Sequence, residues 1–251
     1  MVATLRRLGK MVGLVAILAL GGMAAAMADD ALSPTQADAV KKLVHDYLLE
    51  HPEVIVESLK AMDERQQVGN QAEQRQVITA RHAELFEDPA SPVLGNPQGS
   101  VTIVEFFDFR CPYCKGMAKD LGDLVRADGN IRLIYKDFPI LGPASQFASK
   151  AALAAQRQGK YMDLHQALMG FKGQLGDEVV LELAKRAGLD MAQLQKDMDR
   201  PEIEAQIRKN YDLATALKIS GTPGFIIGDS VVDGAMPIDK MKELVAAQRK
   251  G

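Results

Sequence analysis

The sequence has no tryptophan, two cysteines and four histidines in 251 residues, and aromatic side chains make up only 5% of it. Each scarcity excludes something. Two cysteines cannot form the dense disulfide framework of a small secreted module. The histidines, at positions 45, 51, 82 and 165, show no ligand spacing that would complete a zinc site with the cysteines. With so few aromatics, Ala, Leu, Val and Met must fill the interior, which favours helix-rich packing. Basic residues do not outnumber acidic ones (30 against 33), so the charge balance gives no support to nucleic-acid binding. No internal repeat or low-complexity tract occurs.

The N-terminal end carries a targeting pattern. Arg6, Arg7 and Lys10 precede an uncharged apolar run over residues 11–20, and Ala26-Met27-Ala28 offers small residues before Asp29. This predicts a secretory signal peptide over residues 1–28, cleaved on export. The competing expectation is an uncleaved anchor, because the uncharged stretch borders on spanning length. Gly21-Gly22 and the A-x-A site favour cleavage. Cleavage moves the formal net charge from −3 to −6.

Export changes how Cys111 and Cys114 are read, because disulfides persist outside the cytoplasm. A structural staple gains by closing a long loop, and two cysteines separated by two residues close almost none. Exchange chemistry is the better explanation. A copper- or zinc-binding role for the two thiols is the alternative from another class. Of the twelve methionines that would suggest copper, four lie in residues 1–28 and the rest are dispersed like core fillers. No metal and no cofactor is expected.

Along the chain, residues 29–62 read as an apolar-faced helical region. Ser33-Pro34 looks like a helix start, and Val40, Leu43, Val44, Tyr47 and Leu48 recur at helical spacing. Residues 63–88 are polar and read as a solvated helical connector that Gly69-Asn70 interrupts. A cluster of Pro, Gly, Asn and Asp then marks the boundary of the main domain, residues 89–251. There, residues 101–108 are an apolar, β-branched run suited to a buried strand. A helix from Cys111 and a second strand over residues 131–136 complete a βαβ unit. Helical patterns occupy about residues 144–217, followed by a hairpin around Gly228-Asp229-Ser230 and a last helix. The expected fold is α/β: a thioredoxin arrangement with a helical insertion, preceded by an all-α extension.

Cys111 stands at a helix start, where free N–H groups and the macrodipole favour a thiolate. In Cys-X-X-Cys pairs the thiol pKa falls as low as roughly 3.5–7.5. Pro112 is tolerated there because the first helical position needs no N–H. Cys111 is expected to attack, and Cys114, one turn inside, to resolve the mixed disulfide. Glu105 shares a strand face with Val101, Ile103 and Phe107 and is flanked by apolar residues. Burial would suit it to accept the proton that Cys114 loses. Lys136, near the end of the next strand, is its candidate charge partner. Gly221-Thr222-Pro223-Gly224 is first of all a turn.

Three segments together resemble the DsbA-like thioredoxin family. They are Val104-Glu105-Phe106-Phe107-Asp108-Phe109-Arg110-Cys111-Pro112-Tyr113-Cys114, Lys136-Asp137-Phe138-Pro139-Ile140-Leu141-Gly142 and Gly221-Thr222-Pro223-Gly224-Phe225. The resemblance implies that Cys111 is the nucleophile, Cys114 the resolving thiol and Glu105 the buried acid. It also implies a cis-proline at Pro223 and backbone pairing of Thr222 with an extended substrate. Tyr113 stands where strongly oxidising members carry histidine. Leu32-Ser33-Pro34-Thr35-Gln36 and the stretch from Asp46 to Val54 are similar to the extension of ScsC-like relatives. That similarity implies a homo-oligomer through residues 34–62, a trimer. The expected activity is disulfide isomerisation or reduction on cysteine-containing exported proteins, with a membrane redox partner resetting the pair. The alternative is a dithiol oxidase.

Overall fold

The computed structural model describes residues 32–250; the signal-peptide expectation lies outside them. Two compact units are distinguished, one ending at Ser58 and one starting at Leu59.

The first unit contains α1 (Pro34–Glu50) and the start of α2 (Glu53–Ala80). Ser33 caps α1 reciprocally with Gln36, satisfying two orphan amides, and Pro34 opens the helix. α1 has no buried residue; Val40, Leu43, Val44 and Tyr47 are exposed on one stripe.

α2 is a single helix of 28 residues, and Gly69-Asn70 does not interrupt it. A glycine in an exposed helix costs only about 1 kcal/mol against alanine, and the flanking Gln, Glu and Arg residues favour helix. Residues 63–88 also differ from a solvated connector. Ile78 is buried, the Gln74 amide donates to the Leu217 carbonyl, and Lys218 pairs with Glu73. The later turns of α2 are therefore part of the main unit.

α3 (His82–Phe86) leads to β1 (Val93–Gly95), then β2 (Val101–Phe107), α4 (Pro112–Asp128) and β3 (Ile131–Asp137). The insertion is α5 (Pro143–Gln156), α6 (Tyr161–Gly170), α7 (Asp177–Arg186), α8 (Met191–Met198) and α9 (Pro201–Ala216). β4 (Gly224–Ile227), β5 (Ser230–Asp233) and α10 (Ile238–Gln248) close the fold. The sheet order is β1-β3-β2-β4-β5, with β2 and β3 parallel and the other pairs antiparallel. This is the thioredoxin arrangement with a helical insertion.

Alternation along β2 divides the core between the two sheet faces. Val101, Ile103 and Phe107 join α4 and much of the insertion in one cluster. Val104 and Phe106 join Ile78, Leu85, Leu213 and Leu217 in the other.

The register corrects the expected partner of Glu105. Glu105 lies beside Tyr135, and Lys136 lies beside Phe106, so the carboxyl and the ammonium are on opposite faces. Lys136 is wholly buried in a different cluster. Its Nζ donates to the Glu84 carbonyl at 2.7 Å and to Ser91 Oγ at 2.7 Å, and it lies 3.5 Å from an Asp88 carboxylate oxygen. Lys209 and Gln206 hold the same carboxylate from α9. Burial pulls Lys136 down to about 8. Asp88 meets the same desolvation, but the Gln206 hydrogen bond and the Lys136 charge outweigh it and bring the carboxyl to about 2. This cluster ties the segment before β1 to β3 and α9.

Removing one partner leaves a buried charge uncompensated, so Asp88→Ala is expected to lower unfolding free energy by about 3–5 kcal/mol in urea denaturation. The Asp88 contribution is present above its unfolded pKa, about 3.9, and is lost as pH falls towards 2. A loss below about 1 kcal/mol at pH 7 would remove the cluster from the list of structural anchors.

Candidate active site around Cys111 and Cys114

The turn after β2 is built by Asp108, which is fully buried. Its carboxylate accepts from the Arg110 N–H at 2.7 Å, the Leu141 N–H at 2.9 Å and the Ser145 hydroxyl at 2.8 Å. Its carbonyl accepts from the Cys111 N–H. One side chain thus joins the end of β2, the start of α4 and the start of α5. The Asx turn onto Arg110 is readable in sequence, since Asp commonly bonds the amide two residues on. The other two bonds reach across more than thirty residues and carry no local signal.

Cys111 is the N-cap of α4, with extended backbone, and its Sγ accepts from the Cys114 N–H at 3.5 Å. Its thiol also donates to the Thr222 carbonyl at 3.1 Å, so the loop before β4 meets the sulfur directly. Pro112 occupies the first helical turn, and Tyr113 is 67% exposed beside the pair. The Thr222–Pro223 peptide is cis. Both cysteines are free thiols; Cys111 is 4% exposed and Cys114 not at all.

The two sulfurs are electrostatically unlike. Hydrogen bonding from the Cys114 thiol, from the Thr222 side chain and from the Cys114 and Tyr113 amides outweighs burial and brings Cys111 down to about 5. Donating to that sulfur, burial and the nearby Glu105 carboxyl drive Cys114 the other way, far above the ordinary thiol range. Glu105, 2% exposed, is pushed up to about 8, mainly by burial and further by the Cys111 charge. At neutral pH the arrangement holds a thiolate on Cys111, a thiol on Cys114 and a protonated carboxyl on Glu105.

The structure thus brings Cys111, Cys114, Glu105, Tyr113, Thr222 and Pro223 into one site. Lys136 is outside it. Sequence reading missed Asp108 and Ser145, and also Lys115. The Lys115 ammonium donates to the Leu168 and Phe171 carbonyls at the end of α6 and so fastens α4 to the insertion.

Two titrations follow. Iodoacetamide alkylation of the reduced protein is expected to rise with a midpoint near pH 5, and Cys111→Ala abolishes it; a midpoint above 8 refutes the thiolate assignment. For Glu105 the folded pKa is raised, so its stabilising contribution is full below about 4.3, the unfolded value, and is lost as pH rises through 8. Glu105→Gln is therefore expected to gain on the reduced wild type by on the order of 3–5 kcal/mol between pH 4 and pH 8.5 in urea unfolding. A pH-independent difference would show that the carboxyl does not titrate on burial.

Comparison with known proteins agrees with this geometry. A family model described as DSBA-like thioredoxin domain matches residues 102–246, and one described as copper resistance protein ScsC N-terminal domain matches residues 36–67. A thioredoxin-like oxidoreductase structure from Silicibacter pomeroyi is 47% identical with TM-score 0.66, covering 67% of this chain and 98% of that one. A linker-deletion variant of Proteus mirabilis ScsC is 28% identical with TM-score 0.67, covering 88% and 99%. A periplasmic thioredoxin-like protein from Salmonella enterica serovar Typhimurium is 31% identical with TM-score 0.62, covering 68% and 96%. Among curated proteins, the chain is 29% identical over 161 residues to a Na+/H+ antiporter NhaA of Salinispora arenicola but spans only 25% of its length. With the paired thiols, the buried acid and the cis-proline loop in one thioredoxin-type sheet, the chain belongs to the DsbA-like thioredoxin family and carries a ScsC-type N-terminal domain.

Proposed function

We propose that this protein is a periplasmic thiol–disulfide oxidoreductase that corrects or reduces disulfides in exported proteins, working as a homo-oligomer. The observation that carries the exchange chemistry is the asymmetry of the pair, with a thiolate favoured on Cys111 and a thiol on Cys114, and the exposed apolar stripe of α1 turns the reading towards correction. The Cys111 thiolate attacks one sulfur of a substrate disulfide, forming a mixed disulfide and freeing a substrate thiolate. That thiolate can attack another substrate disulfide or return to the mixed one, which regenerates Cys111 and leaves a rearranged substrate. Alternatively Cys114 attacks the Cys111 sulfur. The reduced substrate then departs and the pair is oxidised. Cys114 must lose its proton for that step; forming the mixed disulfide removes the Cys111 charge that helps raise Glu105, and the carboxyl, once ionised, is the acceptor. The cis-proline loop offers its backbone to an extended substrate segment in the manner of an added strand, with Thr222 as the pairing residue.

The oligomer reading rests on α1. Val40, Leu43, Val44 and Tyr47 leave an apolar stripe 44–69% exposed, and such stripes are ordinarily covered. The ScsC-type match over residues 36–67 supports self-association through residues 34–62, and a trimer is the state that the resemblance to ScsC-like relatives implies. Several active sites on one particle raise the local concentration of thiolate around a misfolded substrate. A membrane redox partner would keep the pair reduced. Export is supported by the targeting pattern of residues 1–28 and by the periplasmic Salmonella relative.

The second reading is a dithiol oxidase. The lowered Cys111 favours it, because a stabilised thiolate stabilises the reduced pair and makes its disulfide a stronger oxidant.

Leu43→Glu with Tyr47→Glu separates the readings. The doubly substituted protein is expected to sediment as a monomer, to keep its reactivity with a small disulfide, and to lose at least tenfold of its rate in refolding scrambled, fully oxidised substrate. A monomeric unsubstituted protein, or isomerisation undiminished in the monomer, refutes the oligomeric isomerase.

A further inference from the structure

On the insertion side of Cys111, α4 presents Lys115, Lys119 and Arg126. Their spacings of four and seven residues place them on one helical stripe. Two hollows follow that stripe. The first, about 710 Å³, begins at Arg110 and Pro112 and is walled by Lys172 and Leu175. The second, about 370 Å³, continues to Arg126, and its wall includes Tyr135 and His165. Lys115, Lys119, Met169 and Gly170 border both, so they form one groove. His165 is a buried side chain whose ring nitrogens have no hydrogen-bond partner.

Every Asp, Glu, Lys or Arg side chain lining the groove is a cation, namely Arg110, Lys115, Lys119, Arg126 and Lys172, although acids outnumber bases 33 to 30 in the chain. Asp123, outside the lining, pairs with Lys119 and Arg126 at 2.6 Å and offsets part of that charge. Lys115 and Arg110 also make hydrogen bonds, but to neutral carbonyls, which leave their charge in place. The other side of the pair is different. A hollow of about 360 Å³ lined by Tyr113, Thr222 and Asp233 has no cation and one carboxylate.

We propose that the cationic groove takes an acidic, extended segment of the substrate polypeptide next to its reacting cysteine. This deepens the thiol–disulfide exchange reading and rests on it. From Pro112 to Arg126 the helix rises about 21 Å, room for about six extended residues at roughly 3.3 Å each. Met162, Met169 and Phe171 supply apolar surface for side chains between the acidic ones. Charges of this kind act on encounter and selection more than on the chemical step, so the signature is a salt-sensitive preference among substrates.

The test uses the reduced full-length protein and three peptides with one internal disulfide, flanked by Asp/Glu, by Gly/Ser or by Lys. In each reaction the peptide disulfide gains two electrons from the pair and two protons, one from Cys114 and one from the solvent, to become a dithiol, and Cys111 and Cys114 become a disulfide. The acidic peptide is expected to react about tenfold faster than the basic one in low salt, falling towards equality at 0.5 M. Lys119→Glu with Lys172→Glu is expected to erase or invert that ratio; if it does not fold, Lys119→Gln with Lys172→Gln serves. A general loss of stability would slow all three peptides alike and leave the ratio. A ratio near one in the unsubstituted protein, or an unchanged ratio in the variants, overturns the groove. Failure to reduce any peptide overturns the exchange reading itself.

Discussion

The site depends on the three hydrogen bonds that the buried Asp108 carboxylate accepts. Cys111 functions as a helix cap only if the chain turns sharply out of β2 and enters α4 at a fixed angle. Asp108 sets that turn and at the same time anchors Leu141 and Ser145, where the insertion begins. The insertion is fastened a second time by Lys115, whose ammonium satisfies the carbonyls that α6 leaves free at its end. The insertion is therefore part of the support for the sulfur.

A second constraint is the alternation along β2 and β3. Each strand buries an ionisable group, and each group goes to its own face. Glu105 lies under the cysteine pair, in a setting where burial keeps it protonated near neutrality. Lys136 lies on the far face among Asp88, Ser91 and the Glu84 carbonyl, where partners keep it charged and the structure closed. If the two met, the lysine would hold Glu105 ionised, and the acid would lose its ability to carry a proton. Their separation by the thickness of the sheet gives one buried charge a structural task and leaves the other free for chemistry.

Much of this was legible in the chain. The order of strand, Cys-X-X-Cys helix and strand follows from local patterning, and Glu105 could be placed inward because its strand face is otherwise apolar. What failed were inferences needing register or distant contacts. Lys136, near the end of the next strand, is the sequence's candidate partner for Glu105, and only the pairing of Glu105 with Tyr135 shows that the faces differ. Gly69-Asn70 looked like a break, yet a modest propensity cost is outweighed where later turns of the same helix dock through Gln74 and Ile78. Asp108 showed only its Asx half, because its other donors come from a loop that the sequence places far away.

The opposed thiols have a consequence for electron transfer. Reducing the disulfide adds two electrons, but above about pH 5 the Cys111 sulfur keeps its negative charge and only Cys114 takes a proton. With one proton per two electrons, the midpoint potential drifts by about 30 mV per pH unit, half the drift of a couple that takes up two protons. Glu105 works against this wherever it is ionised in the oxidised state, because the new charge on Cys111 raises its proton affinity and a second proton taken up restores the steeper drift. While that carboxyl stays protonated, the redox balance is partly buffered against pH by one thiolate beside one thiol.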